Sequence, residues 1–402
     1  MVTFDDRRTP DLIFDHIIFS LGPGQKAGRL QRLGIELQSD PVDTSSVVVL
    51  SQLDDDDTPH VESVIYVSPG HAWALIHDTH FPELEPAHDL EARPPLLRYQ
   101  LAEHLRRDSY NATITAFNRR HGDLWVIRVK PDTGDVKHSP GQYTTLALGY
   151  WEPRIDGLDE HLEESKFEKL VRRSYSISYP ILDEQDRLVR PDEIDGLEFY
   201  IVLVRAEGMD HLPELTPRLA LKREGDRIFM GTKITGRYTL TSVTDKESDV
   251  ILLSTGTGEA PHNNMVAELL RTGHTGRIVS ACTVRYQQDL EYYETHRRLE
   301  QLYENYTYIP LTTREPETIN NKVYIQDLIT NGGLADALGH EPTPERSHFF
   351  MCGNPLMIGI PERDGDKLTF PETPGVCQLL YERGFTIEHR GVVGNVHYEE
   401  YW

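Results

Sequence analysis

Between about residues 109 and 245 the apolar positions fall in short runs separated by turn residues. The runs at 111–116, 124–129, 143–148, 198–204 and 227–230 are of strand length, and Glu224-Gly225-Asp226 sets off the last. Short strands at this density predict an antiparallel barrel. From about 246 the pattern changes. Asp249-Val250-Ile251-Leu252-Leu253-Ser254 is continuously apolar at its centre, as strands buried on both faces are. A helix over 263–270, a strand at 277–282, a helix over about 290–303 and strands at 307–311 and 348–352 follow. Such alternation predicts a parallel sheet with helices on both faces. The first 108 residues hold two strand-like runs, 46–50 and 64–67, and a short amphipathic segment at 96–105, but no chemical motif.

The expected architecture is therefore multi-domain α/β plus β: an N-terminal extension of unknown role (1–108), an antiparallel β-barrel (109–245) and a parallel α/β nucleotide-binding domain (246–402). A chain of 402 residues has the length for this. Composition narrows the chemistry. The three cysteines, Cys282, Cys352 and Cys377, are widely spaced, with no metal-ligand spacing and too few thiols for an ordinary iron–sulfur cluster. No metal site is expected, and a single-electron carrier within this chain has to be organic, which favours a flavin. A net charge of −24 argues against nucleic acid. Residues 1–100 hold seventeen Asp/Glu against seven Lys/Arg, including the run Asp54-Asp55-Asp56-Asp57, which reads as a solvated loop. No apolar run reaches membrane-helix length and the start lacks the order of a secretory signal, so no integral membrane association and a cytoplasmic location are expected.

Three motifs carry chemistry. Ser254-Thr255-Gly256-Thr257-Gly258-Glu259-Ala260-Pro261 joins a buried strand to a helix. Its glycines admit close approach of a ligand, and free amides at a helix start suit a pyrophosphate. A tight structural turn has the same look, and the glycine spacing is not that of the dinucleotide fingerprint. Arg173-Ser174-Tyr175-Ser176 follows Arg172. Arginine grips pyrophosphate bidentately, and a tyrosine two places along a strand shares its face and can stack on a flat ring. Taken alone, this reads as an ordinary barrel strand. Cys352-Gly353-Asn354-Pro355 ends the fourth predicted strand of the sheet, where open α/β folds bind ligands; Cys352 is either a buried strand residue or part of that site.

In this order, and with the aromatic end Tyr398-Glu399-Glu400-Tyr401-Trp402, the chain resembles the ferredoxin–NADP reductases of the bacterial type over about 110–402. The resemblance implies an enzyme using FAD and NADP. It implies that Arg173 binds the FAD pyrophosphate, that Ser174 belongs to the cofactor-binding set, that Tyr175 stacks on the isoalloxazine and that Ser176 lies near its N5. Pro140-Gly141-Gln142-Tyr143 matches the family's barrel strand entry, and Thr216, in Leu215-Thr216-Pro217-Arg218-Leu219, matches a phosphate-contacting hydroxyl. Gly256, Thr257 and Gly258 would receive the NADP pyrophosphate, with Thr255 in the same cofactor-binding set, and Cys352 would lie where nicotinamide meets flavin. Tyr401 matches the terminal aromatic over the flavin, Glu399 a carboxylate of proton and electron transfer, and Trp402 a residue against the FAD adenosine. Ser176, Cys352, Glu399 and Tyr401 are thus the expected catalytic set.

A 2′-phosphate distinguishes NADPH from NADH and calls for cations. Arg285, Arg314 and Lys322 match the family's positions for it, with Tyr324 matching a ring stacked on adenine. The implied partner is ferredoxin or flavodoxin; these are usually acidic and like charge slows encounter, so docking would need a local basic face, for which Arg106, Arg107, Arg119, Arg120 and Arg172 are the candidates. Alternatives are an NAD(P)H-dependent flavin reductase for an oxygenase component or quinone, and a flavin-based redox-sensing regulator that uses the N-terminal region. Three features depart from the family: that region, a longer link over 150–171 and an insertion over 359–375. Glu259 also replaces an apolar residue.

Overall fold

The computed structural model describes residues 16–21, 46–53, 59–67, 102, 105–134, 137–155, 164–205, 212–365, 367–389 and 392–401. The chain divides into two compact units. The first comprises Met1–Ser109, Gly149–Glu152 and Asp159–Lys169. Its strands β1 (His16–Leu21), β2 (Ser46–Leu53) and β3 (Pro59–Val67) form an antiparallel sheet in that order, so the two runs read from the sequence pair with each other, Val47 opposite Tyr66. Most of the 96–105 segment lies outside the described residues. Arg106 clamps the buried Glu152 bidentately, Nε to Oε1 at 2.9 Å and Nη2 to Oε2 at 3.0 Å. The two ends of the long link that group with this unit are joined where the Tyr150 amide donates to the Lys169 carbonyl, while Pro153–Leu158 groups with the second unit.

The second unit carries the barrel and the parallel sheet. Strands β4 (Ala112–His121), β5 (Leu124–Pro131), β6 (Tyr143–Gly149), β7 (Leu170–Ser176), β8 (Leu197–Val202) and β9 (Arg227–Met230) lie in the order β7-β6-β9-β4-β5-β8. Their backbone edges are not left open. Ser178, just beyond β7, donates its amide to the Glu198 carbonyl on β8 at 2.8 Å, and this bridge closes the sheet on itself. Ala112, Ile114, Trp125, Ile127, Leu146 and Phe199 fill the interior.

Beyond it, β10 (Asp249–Thr255), β11 (Ile278–Val284), β12 (Tyr306–Thr312), β13 (Ser347–Gly353) and β16 (Val396–Glu400) form a parallel sheet ordered β12-β11-β10-β13-β16. Period-two alternation divides β10 between two cores. Val250 and Leu252 pack with the helix α2 (Glu259–Arg271), through Met265, Val266 and Leu269, while Ile251 and Leu253 pack with Ile325, Leu328, Leu334 and Leu380 on the other face. Both faces are covered, which is why these strands read as unbroken apolar runs. The fifth strand, Val396-His397-Tyr398-Glu399-Glu400, has no such signal because it is an edge strand. The 359–375 insertion is a short antiparallel hairpin, β14 (Glu362–Asp364) and β15 (Lys367–Thr369), pinched at its neck where Gly359 and Gly375 touch backbone to backbone. Among the described residues no helix is long and apolar enough to cross a membrane.

Candidate functional site

Strand order reverses between β10 and β13, so the loops that follow them diverge and leave a crevice at the carboxyl ends of the sheet. The glycine turn and the Cys352 turn are the two sides of that crevice. Gly256, at φ +55° with open space where a side chain would project, begins a single 3-10 turn that runs straight into α2. Gly258 lies so close to β13 that a Cβ would sit 2.2 Å from the Cys352 carbonyl oxygen. Thr255 joins the two turns: its hydroxyl accepts from the Asn354 amide at 2.7 Å. An open glycine surface ahead of a 13-residue helix fits a dinucleotide pyrophosphate.

Gly353 holds the arrangement together. Its φ is +128°, and a Cβ would meet Thr255 Oγ1 at 2.2 Å and the Thr255 carbonyl oxygen at 2.8 Å. Because backbone cannot yield, Gly353→Ala is expected to cost about 1–3 kcal/mol and to separate the two turns. Urea unfolding followed by tryptophan fluorescence reads the loss.

The four expected catalytic residues converge here from three distant parts of the chain. In the sheet, Cys352 on β13 stands opposite Glu399 on β16 and Ser254 on β10. Ser176, at the end of β7, donates its hydroxyl to Glu399 Oε2 at 2.9 Å. The Tyr401 amide donates to the Gly353 carbonyl, which anchors the chain end beside the cysteine turn. Burial pushes the Cys352 thiol well above its ordinary range, with the nearby Glu399 adding to the shift, so sulfur stays protonated and is a packing surface rather than a nucleophile. Burial also raises the Glu399 carboxyl, against the lowering pull of Ser176. The Tyr401 hydroxyl is buried beside Ser176 and Cys352. Trp402 lies outside them.

The barrel side presents cations and a ring. Arg173 and Ser174 are exposed, and Arg173 reaches Glu214 at 3.0 Å, at the loop that leads to the helix α1 (Thr216–Leu219). Thr216 is buried, and its hydroxyl accepts from the Val204 amide, which leaves one proton to donate. Tyr175 is half-buried, set edge-on against Phe199 with centroids 6.5 Å apart, and burial holds its hydroxyl neutral. A guanidinium, a hydroxyl and a partly covered aromatic face fit a flavin dinucleotide.

At the other end of the sheet, Arg285 follows β11 and Arg314 follows β12, joined by the Arg314 amide donating to the Arg285 carbonyl at 2.8 Å. Arg285, Arg314, Lys322 and the Tyr324 ring are all exposed. Among the described residues none of the three cations is ion-paired, whereas the nearby Arg297 and Arg298 are bound to Glu300 and Asp186. In so acidic a chain, exposed cations without ion-pair partners among the described residues fit an anion.

Arg119, Arg120 and Arg172 are exposed, but Arg119 is held by the Ala220 carbonyl and Arg120 lies by Glu291, while Arg106 is spent on Glu152. A cavity of about 810 Å³ is lined by Lys130, Ser178, Glu198 and Asn264 among others and contains none of the predicted site residues. Two features go beyond the sequence reading, which singles out only Glu259 among their residues. Tyr238, whose ring stands edge-on to Phe350 and whose hydroxyl meets His262 Nε2 at 2.7 Å, packs behind Cys352. Beneath the glycine turn, Glu259 and His296 are both fully buried. A glutamate next to Gly258 in a buried helix start was the one visible sign of the second.

Residues 252–362 match the family model described as an oxidoreductase NAD-binding domain. The chain is 31% identical over 219 residues to the flavodoxin/ferredoxin–NADP reductase of Shigella flexneri, covering 54% of this chain and 75% of that one. It is 28% identical over 258 residues to the ferredoxin–NADP reductase of Pseudomonas aeruginosa, covering 62% and 86%. The solved ferredoxin NADP+ reductase of Neisseria gonorrhoeae, with bound FAD and NADP, superposes with a TM-score of 0.53 at 19% identity over 72% of this chain and 97% of that chain, a likeness of fold.

Proposed function

The chain belongs to the ferredoxin–NADP reductase family, and from that premise we propose that it exchanges hydride between NADPH and FAD and single electrons with a ferredoxin or flavodoxin. The observation that carries this reading is the Ser176–Glu399 hydrogen bond, which brings the barrel strand, the cysteine turn and the chain end to one point. Residues 109–245 are the FAD-binding part, 246–402 the NADP-binding part, and 1–108 an extension of open role in a cytoplasmic protein.

Bound FAD supplies the exchange between a two-electron hydride and one-electron carriers. The chain's residues bind and orient. Arg173, Ser174 and Thr216 hold the FAD pyrophosphate, with Arg173 trading Glu214 for phosphate oxygens. Tyr175 and Tyr401 cover the ring system, and Tyr401 has to move aside to admit nicotinamide. Trp402, outside the described residues, is assigned to the adenosine by the family resemblance alone. Thr255, Gly256, Thr257 and Gly258 receive the NADP pyrophosphate on free amides, and Arg285, Arg314 and Lys322 take the 2′-phosphate with Tyr324 against adenine. Strands spaced about 4.8 Å apart put β12 about 14 Å from β13, a span that suits an extended dinucleotide. Ser176 and Glu399 hold and pass a proton beside the protonated Cys352.

An absorbance titration tests flavin content, hydride transfer and nicotinamide choice together. The purified protein is expected to be yellow and to bleach at far lower NADPH than NADH. A colourless protein that cannot be reconstituted with FAD overturns the reading. Turnover of ferredoxin faster than of quinones or dyes, slowed by salt, is the result expected for a charged protein partner.

A further inference from the structure

Glu259 is the first residue of α2, directly after Gly258, and it is fully buried. Its Oε1 receives the Tyr308 hydroxyl at 2.8 Å and lies 3.4 Å from His296 Nε2, while Oε2 has no partner among the described residues. His296 is on the helix α3 (Tyr293–Leu302) and is also fully buried. Its ring stacks on Tyr308 with centroids 4.3 Å apart, and Nδ1 meets the Tyr306 hydroxyl at 2.7 Å. The proton on Nε2 can be located. Asn263 gives its amide N–H to Ser178, so the oxygen it turns toward Nε2, at 3.1 Å, can only accept. Nε2 is therefore a donor, shared between Asn263 and Glu259. His262, the nearest other imidazole, is pushed down to about 3 by burial and then by His296, and stays neutral.

Two donors thus converge on a carboxylate at the positive end of the helix whose amides face the dinucleotide pyrophosphate. An uncompensated anion there would compete with the ligand for the same helix dipole. Resting on the nucleotide-binding reading above, we propose that the Nε2 proton of His296, with the Tyr308 hydroxyl, screens the buried Glu259 carboxylate and so keeps its negative charge from opposing a pyrophosphate at the turn. They are positioning residues for NADP and touch neither ligand nor flavin.

The test is equilibrium titration of the full-length, FAD-loaded protein with NADP+ and, separately, with adenosine 2′-monophosphate, which has no pyrophosphate. His296→Gln is expected to weaken NADP+ about tenfold and adenosine 2′-monophosphate less than twofold. Glu259→Gln is expected to bind NADP+ at least as tightly as the parent, and the double variant to recover to within about threefold of it. If His296→Gln does not fold, Tyr308→Phe, which removes one donor to Glu259, is expected to weaken NADP+ alone, about threefold. The proposal is overturned by unchanged NADP+ affinity in His296→Gln, by equal losses for both ligands, or by a double variant no better than the single one. A parent protein that binds neither ligand instead removes the nucleotide reading, and the proposal with it.

Discussion

Neutralising Arg285 and Arg314 together is expected to weaken NADPH more than a hundredfold and to leave NADH within about twofold. Each guanidinium can make a charge-assisted hydrogen bond to the 2′-phosphate worth about 1.5–3 kcal/mol. Both side chains are exposed, so the lower figure applies, and two such bonds sum to about 3 kcal/mol, or a little over a hundredfold. The single variants Arg285→Ala and Arg314→Ala should each lose about tenfold. Neither cation has an ion-pair partner among the described residues, so removing one strands no carboxylate and the melting temperature should hold. Steady-state KM for the two nicotinamides gives the ratio. Equal losses for NADPH and NADH would place the 2′-phosphate elsewhere.

How much of this could be read along the chain depends on the range of the interactions. The buried strands at 249–254 and 348–352 declare themselves because helices cover both faces, and Val250 and Ile251 must both be apolar although they point to opposite cores. The barrel strands are legible from spacing, but its closure is not, since the Ser178–Glu198 bridge is a backbone contact indifferent to side-chain type. β16 is hidden for another reason: it is an edge strand whose residues serve the site more than the core.

The candidate site follows the same division. The glycine turn is local, and its residues, their spacing and the following helix all lie within one stretch of chain. Ser176 and Glu399 are 223 positions apart, and nothing in either neighbourhood announces the other. Only the joint presence of several short motifs singles them out. The pair Glu259–His296, together with Tyr238 and His262, lies further from view, because a buried polar residue is recognisable only through the partners that satisfy it. Thr216 shows the reverse case: its motif is plain, yet its hydroxyl already serves the Val204 amide.

Glu399→Gln should separate the two halves of the reaction. Hydride exchange with NADPH carries its own hydrogen nucleus and needs no proton from the chain. One-electron exchange parts electron from proton, and on the proposed reading that proton passes through Glu399 and Ser176, the hydrogen-bonded carboxyl–hydroxyl pair at the crevice. Glutamine keeps the shape and can still bond Ser176 but cannot carry a proton. Flavin bleaching by NADPH is therefore expected to change less than threefold, and turnover with a one-electron carrier to fall about a hundredfold, the lower end of what general acid–base catalysis supplies. Burial raises the Glu399 carboxyl, so the fold holds this proton above the ordinary glutamate range. Toward NADP+ reduction, where the group must donate, the parent's rate should fall as pH rises through that raised value; toward NADPH oxidation, where it must accept, the rate should rise through the same window. The glutamine variant should be slow and flat in both directions. Stability follows the same proton: the contribution of a raised carboxyl is complete below the ordinary glutamate range and is lost as pH rises through the folded-state value, so the parent should lose ground to the variant over that interval. One-electron turnover of the variant within threefold of the parent across the range would remove Glu399 from the proton path.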